Sequence, residues 1–198
     1  MKKIFALCLV ISSMSTCALA YEDLDMDIRA LSILHGISTA EAKKSLFLEA
    51  NSDTALDTIE KEFKGRISGI YVENSPTYKI VVRVKGYGTN QKRNVAVGNT
   101  IAKENLPIEI QYGATEAREA GRAQINNVRK LVKNYFNTVQ TYAYDEVTGA
   151  IVVAVKGKET VENLKKIDAI KTVWNNPNLP LEFKFVNWTI KPLVDAHG

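Results

Sequence analysis

Two nearly identical segments decide how this chain folds: residues 80–86 read IVVRVKG, and residues 151–157 read IVVAVKG. They differ at one position, where Arg83 in the first copy corresponds to Ala154 in the second. The copies begin 71 residues apart, at positions 80 and 151 of a chain of 198 residues. Both are rich in β-branched residues, which favour strands, and such a repeat at long range indicates a repeated structural unit.

The neighbouring segments repeat as well. Residues 106–110 (LPIEI) follow the first copy and residues 179–183 (LPLEF) follow the second, now 73 residues apart. Before each copy lies another strand-like run, residues 67–72 (ISGIYV) or 139–144 (VQTYAY), joined to it by a polar turn. Three matches in one order, at a nearly constant offset, predict an internal duplication.

Helical patterns lie around and between these strands. A capping-box sequence from Ser38 to Glu41 opens the longest helix, which the polar residues Asn51 to Asp53 can break. Apolar residues at helical spacing predict helices over residues 27–34, 39–64, 91–103, 116–136 and 159–174.

We therefore predict an α+β fold made of two duplicated αββαβ units. Each unit would contain a small three-stranded sheet with helices on one face. The middle strand and the last strand should lie side by side, because a right-handed connection returns the chain to the same sheet. The first unit, with the N-terminal helices, spans residues 21–113, and the second, with a C-terminal tail, spans residues 114–198.

Residues 1–20 (MKKIFALCLVISSMSTCALA) have the form of a secretory signal peptide. Lys2 and Lys3 provide a basic start, an apolar stretch follows, and residues 18–20 form an A-x-A cleavage motif. The apolar stretch is too short, and too interrupted by serine, for a transmembrane helix. We expect export, with cleavage near Ala20, to the periplasm or to the outside of the cell.

Composition argues against several classes of ligand. Both cysteines, Cys8 and Cys17, would leave with the signal peptide, so the mature chain would have neither a disulfide nor a thiolate metal site. Without Lys2 and Lys3 the chain has 24 basic and 22 acidic residues, and no run of like charge indicates a nucleic-acid partner. We expect no cofactor, and no membrane span in the mature chain.

The polar residues do not form a recognisable catalytic set. His35 lies at the end of a predicted helix, where a cation suits the helix dipole, and His197 is next to the last residue. The serines fall at predicted caps and turns, and the carboxylates Asp145 and Glu146 suit a solvated turn. Histidine, aspartate and glutamate do not cluster at metal-ligand spacing. We predict that the protein is not an enzyme and has no metal site.

Two longer stretches carry a resemblance to a known family. Residues 28–42 (IRALSILHGISTAEA) have a short helix and then a Gly-apolar-Ser-x-x-Glu-Ala step into a longer helix. Residues 63–71 (FKGRISGIY) have an aromatic residue, a short link and an aromatic strand. In these features the chain resembles the propeptides, or prodomains, of alpha-lytic protease and streptogrisin-like secreted serine proteases. The duplicated unit covers nearly all of the chain after the signal peptide.

The resemblance implies a protein that helps its protease to fold and then inhibits it. It implies a clamp of two small α/β units, with the second sheet against the protease and the tail in the active site. No protease domain follows in this sequence, so we expect action in trans, as an inhibitor or folding helper of a separate secreted serine protease or as a re-used binding module. The alternative is a periplasmic small-ligand-binding protein with its site between the two units.

The candidate partner-binding residues are aromatic side chains of the second unit together with the tail. Because side chains alternate between the faces of a strand, Tyr142 shares a face with Tyr144, and Phe183 shares a face with Phe185. Each ring has packing against the helices as its alternative role. The predicted partner-binding set is Tyr142, Tyr144, Phe183, Phe185, Trp188 and Pro192.

Overall fold

The structure, a computed structural model, describes residues 24–74 and 77–189. Its helices are α1 (24–35), α2 (Thr39–Ala50), α3 (Asp53–Glu62), α4 (Arg118–Ala123), α5 (Ile125–Val132) and α6 (Val161–Trp174). Its strands are β1 (Ile67–Glu73), β2 (Lys79–Lys85), β3 (Gln91–Gly98), β4 (Lys103–Ala114), β5 (Val139–Tyr144), β6 (Ile151–Lys156) and β7 (Leu181–Val186). The first sheet has the order β1-β2-β4-β3 and the second has the order β5-β6-β7. The predicted α+β class with two sheets is confirmed.

The repeated segments occupy equivalent places in the two sheets. In the first sheet β2 runs parallel to β4, and Ile80 pairs with Ile108. In the second sheet β6 runs parallel to β7, and Ile151 pairs with Leu181. These are the same positions of the two sequence repeats, so the duplication extends to the register of strand pairing.

The prediction of a helix over residues 91–103 is wrong. This part of the chain forms β3 and the turn before β4. Arg93, Val95 and Val97 are more buried than the residues between them, which is the two-residue period of a strand. The Asn99 side chain then accepts hydrogen bonds from two backbone N–H groups of the turn, at 2.9 and 3.1 Å. The first sheet therefore has four strands rather than the three that we predicted.

Polar residues mark where the helices begin and end. The Ser38 hydroxyl and the Glu41 carboxylate form the predicted capping box at the start of α2. The predicted break at Asn51 to Asp53 separates α2 from α3, and the Ser52 hydroxyl there donates to the Glu49 carbonyl at 2.9 Å. The helix predicted over residues 116–136 is present as α4 and α5, which meet at Gln124.

By its contacts the chain divides into two compact units. One comprises the described residues up to Leu56, Val72–Lys79 and Asn94–Pro107, and the other comprises Asp57–Tyr71, Ile80–Arg93 and the described residues from Ile108 onward. The division that we predicted after residue 113 stays a prediction.

The core of the second sheet lies between β6 and the helices α5 and α6. One face of β6 contributes three fully buried side chains, and the helices contribute the opposing layer. The buried set includes Ile151, Val153, Val155, Val128, Val132, Ile167 and Ile170.

Ile151→Ala should lower the free energy of unfolding by about 2–5 kcal/mol, because a fully buried isoleucine leaves a cavity when truncated. Urea denaturation followed by circular dichroism measures this change. Val161→Ala is the matched control, since Val161 is 72% exposed and its truncation should change stability by less than about 0.5 kcal/mol. An equal effect of the two substitutions would contradict the assignment of this core.

Candidate protein-binding surface

The strand β7 forms an outer edge of the second sheet. It pairs with β6 from Ile151 with Leu181 to Lys156 with Val186, without a break in register. At the two ends of this ladder, Ile151 donates to the Pro180 carbonyl at 2.9 Å and Gly157 donates to the Val186 carbonyl at 3.0 Å. No further strand pairs with β7 within the described residues.

The hydrogen-bonding groups on this edge alternate in direction. Since the carbonyls of Pro180 and Val186 point toward β6, those of the residues between them at even positions do so too. The backbone N–H and C=O groups of Leu181, Phe183 and Phe185 therefore point away from β6 and line the outer edge. A sheet edge of this kind presents donors and acceptors at the spacing of another strand.

The other outer strand, β5, is less regular. Its pairing with β6 shifts register between Val139 and Thr141. A bulge of this kind twists an edge and disturbs the row of hydrogen-bonding groups that a further strand would need. Of the two edges of this sheet, β7 is the more regular.

The four predicted aromatic residues on strands share the helix-covered face of the second sheet. Tyr142 pairs with Val153, and Phe183 pairs with the same residue from the other side, so their side chains lie on the face of the buried core. All four rings are half-buried and pack against that core. The rings of Phe183 and Phe136 lie 6.2 Å apart between centroids.

Tyr142 has a partly shielded ring. The guanidinium of Arg129 lies 5.4 Å from the centroid of the ring. Burial raises the pKa of the Tyr142 phenol above its ordinary value, and the positive charge of Arg129 opposes this rise. The half-buried ring is therefore a packing element of the core.

Trp188 is the most exposed of the predicted residues that the structure describes. It follows β7 by two residues, and 46% of its surface is exposed. Pro192 lies outside the described residues. The opposite face of the sheet has small or charged residues such as Ala143, Ala154 and Lys184.

Tyr144 has a specific structural partner. Its hydroxyl lies 3.0 Å from the Ser68 hydroxyl on β1. A side chain at Gly121 would collide with the Tyr144 ring, so glycine allows α4 to approach β5 closely. The ring therefore connects α4, β5 and β1 within the second compact unit.

Glu146, in the turn between β5 and β6, was predicted to be solvated, and this prediction is wrong. Its carboxylate accepts the backbone N–H of Ile70 at 2.8 Å and forms an ion pair with Arg122. Arg118 lies 4.0 Å away. The side chain is 21% exposed.

The one difference between the repeated segments, Arg83 in place of Ala154, corresponds to a contact that only Arg83 makes. Its guanidinium donates to the Glu146 carbonyl at 3.4 Å, whereas Ala154 at the equivalent place has no side chain that reaches a turn. The contact between Arg83 and Glu146 was not predicted from the sequence. The signal that pointed to them was the single charged substitution in an otherwise repeated strand.

A separate cavity of about 360 Å³ lies within the first compact unit. α2 provides part of its wall through Lys44, Ser45 and Leu48, and Tyr78 provides another part. Burial of the phenol, and to a smaller extent the negative charge of Glu49, raises the pKa of Tyr78 to about 12.

Three general findings bear on function. Within the described residues, no group of three histidine, cysteine, aspartate or glutamate side chains is placed to hold a metal ion. No helix in that part of the chain has both the length and the apolar character that crossing a membrane requires. In comparisons with known proteins, no protein-family model matches this sequence, and no curated protein matches it.

Tyr78→Phe should make the protein less sensitive to alkaline pH. A tyrosine in the unfolded chain ionises near pH 10, whereas folded Tyr78 stays neutral up to about pH 12. The contribution of this group to stability is therefore complete below pH 10 and is lost as the pH rises from 10 to 12. Urea denaturation at pH 9 and pH 11 measures the loss, which should be smaller in the variant.

Tyr87→Phe serves as the control, because Tyr87 is fully exposed and its surroundings change little on folding. The control should lose as much stability between pH 9 and pH 11 as the unmodified protein. An equally large loss in Tyr78→Phe would show that Tyr78 does not cause the alkaline sensitivity.

Proposed function

We propose that this protein is an exported, non-catalytic protein-binding module that acts in trans on a secreted serine protease, as a propeptide-like inhibitor or folding helper. The observation that carries the proposal is the outer edge of β7, which is regular along its whole length and leads to the exposed Trp188. An extended segment of a partner protein can add to such an edge as a further strand.

The edge is held in place before any partner arrives. Leu181 is buried, and the half-buried rings of Phe183 and Phe185 pack on the core beneath the sheet. Because the strand is already ordered, little conformational entropy remains to be lost on binding. The aromatic residues on β7 thus support the surface from below, while the backbone provides the contacts.

Trp188 would supply the anchoring side chain of the surface. Tryptophan is among the residues that contribute most to protein–protein affinity, because it buries a large area and also donates a hydrogen bond. In the resembled propeptides the tail that follows the second sheet occupies the protease active site. By that resemblance, the segment from Asn187 onward, including Pro192, would lie in the cleft of the partner.

Three of the described serines have structural contacts that are consistent with a non-catalytic role. The Ser38 hydroxyl lies 2.7 Å from the Glu41 carboxylate, the Ser52 hydroxyl donates to a backbone carbonyl, and the Ser68 hydroxyl lies beside Tyr144. Each of these groups stabilises a cap, a helix break or a strand contact. A serine nucleophile needs instead an adjacent base that takes its proton.

Inhibition assays test the proposal. The chain without residues 1–20 is titrated against a panel of chymotrypsin-like serine proteases, with intact protein monitored by mass spectrometry. We expect loss of protease activity while the protein stays intact. Removal of residues 187–198 should abolish inhibition, and Trp188→Ala should weaken it by about tenfold or more, because an exposed tryptophan at an interface is a typical hot spot.

Tyr87→Ala is the matched control, since it truncates another exposed aromatic residue and should leave inhibition unchanged. The folding-helper role is tested by refolding a denatured protease with and without the protein. Rapid digestion without inhibition would refute the inhibitor role, and an unchanged yield of refolded protease would refute the folding-helper role.

Small-ligand binding is a second candidate function, which the cavity beside Tyr78 favours. Its volume, about 360 Å³, falls in the range of small-molecule pockets. A thermal-shift screen of small molecules distinguishes the two functions. Ligand binding at this cavity should survive the removal of residues 187–198 and should be weakened by Ser45→Leu, which fills part of the cavity.

A further inference from the structure

The outer strand of the first sheet, β1, has an edge that the second hairpin covers. β1 is the terminal strand in the order β1-β2-β4-β3. The backbone N–H of Ile70 in β1 would normally donate to a carbonyl of a neighbouring strand. It donates instead to the Glu146 carboxylate at 2.8 Å. We propose that the β5–β6 turn is an internal latch, in which Glu146 closes the β1 edge and prevents it from pairing with a second copy of the chain.

The backbone of the turn lies close to β1. A side chain at Gly69 would collide with the Glu146 carbonyl group, so only glycine permits this approach. Gly149, at the other end of the turn, has a φ of 79°, a conformation that glycine adopts readily. Two glycines on opposite sides of the contact therefore allow the turn to lie against the face of β1, from which the Glu146 carboxylate reaches the Ile70 N–H at the edge.

Side chains hold the latch at three points. The Tyr144 hydroxyl contacts Ser68 at 3.0 Å, and the Arg83 guanidinium donates to the Glu146 carbonyl at 3.4 Å. The Glu146 carboxylate is itself oriented by its ion pair with Arg122. Hydrogen bonds to a charged acceptor are roughly twice as strong as those between neutral groups.

The physical need for a latch follows from the exposed edge. An unpaired strand presents a row of donors and acceptors that can recruit another chain, and proteins commonly block such edges with charge or with a covering loop. Glu146 uses charge, since its carboxylate satisfies a backbone donor and places a charged group at the edge. This inference concerns β1 and does not rest on the proposed role of β7.

Amide hydrogen exchange followed by NMR tests the latch directly. In Glu146→Ala the Ile70 amide loses its acceptor, so it should exchange about tenfold faster or more, whereas the amide of Val153 in the core should not change. Gly69→Ala should have the same effect from the other side of the contact, because the added methyl group displaces the turn. Glu146→Gln keeps an acceptor oxygen and should show a smaller increase.

Sedimentation measurements over a range of concentrations test the second part of the inference. Glu146→Ala and Gly69→Ala should self-associate more strongly than the unmodified protein. Glu159→Ala is the control, because Glu159 is exposed in the loop before α6 and its truncation should alter neither exchange at Ile70 nor association.

Unchanged exchange at Ile70 in both test variants would overturn the latch. Faster exchange without any increase in association would overturn its role in protecting the edge. Loss of core protection at Val153 would mean that a variant had disturbed the whole fold. In that event the Glu146→Gln variant is the deciding test. Normal exchange at both Ile70 and Val153 in that variant, together with unchanged association, would overturn the requirement for the carboxylate.

Discussion

The parallel pairing of a middle strand with a last strand is the constraint on which both sheets depend. It requires a long connection between the paired strands, and the chain provides one as a helix in the second sheet and as the strand β3 in the first. The same register, Ile80 with Ile108 and Ile151 with Leu181, recurs because the paired apolar residues are repeated in sequence. Parallel pairing buries these residues on the core face, so a slip by one residue would expose them.

The two duplicated units differ in the residues around their first two strands. Here the difference lies on the outer face of the first sheet. Gly69 lets a turn approach β1, whereas the equivalent residue in β5 is Thr141, which has a side chain. Arg83 reaches that turn, whereas Ala154 cannot. The first sheet can therefore receive the turn of the second hairpin, but the second sheet has no equivalent receptor.

The strands, the capping box and the break after α2 could be predicted, because each depends on local residue chemistry. The segment around Val95 and Val97 could not, because its apolar residues fit a short helix and a half-buried strand about equally well. The face of the sheet on which each aromatic ring lies depends on the pairing partners of β5 and β7. The alternation of side chains along a strand does not give those partners. The role of Glu146 depends on a contact with Ile70, which is far away in sequence. The local sequence of its turn therefore predicted a solvated carboxylate.

Three of the four outer strands of the two sheets, β1, β5 and β7, differ in how their unpaired backbone groups are arranged. β1 is occupied by Glu146, and β5 carries a register shift, so neither offers a regular row of free groups. β7 has an unbroken register, a core that supports it and Trp188 beside it. This regular edge beside an exposed tryptophan is the reason why we propose that β7 receives a strand of a partner. The proposed latch on β1 and the proposed binding edge of β7 thus have the same physical origin, which is the unpaired backbone groups of an outer strand.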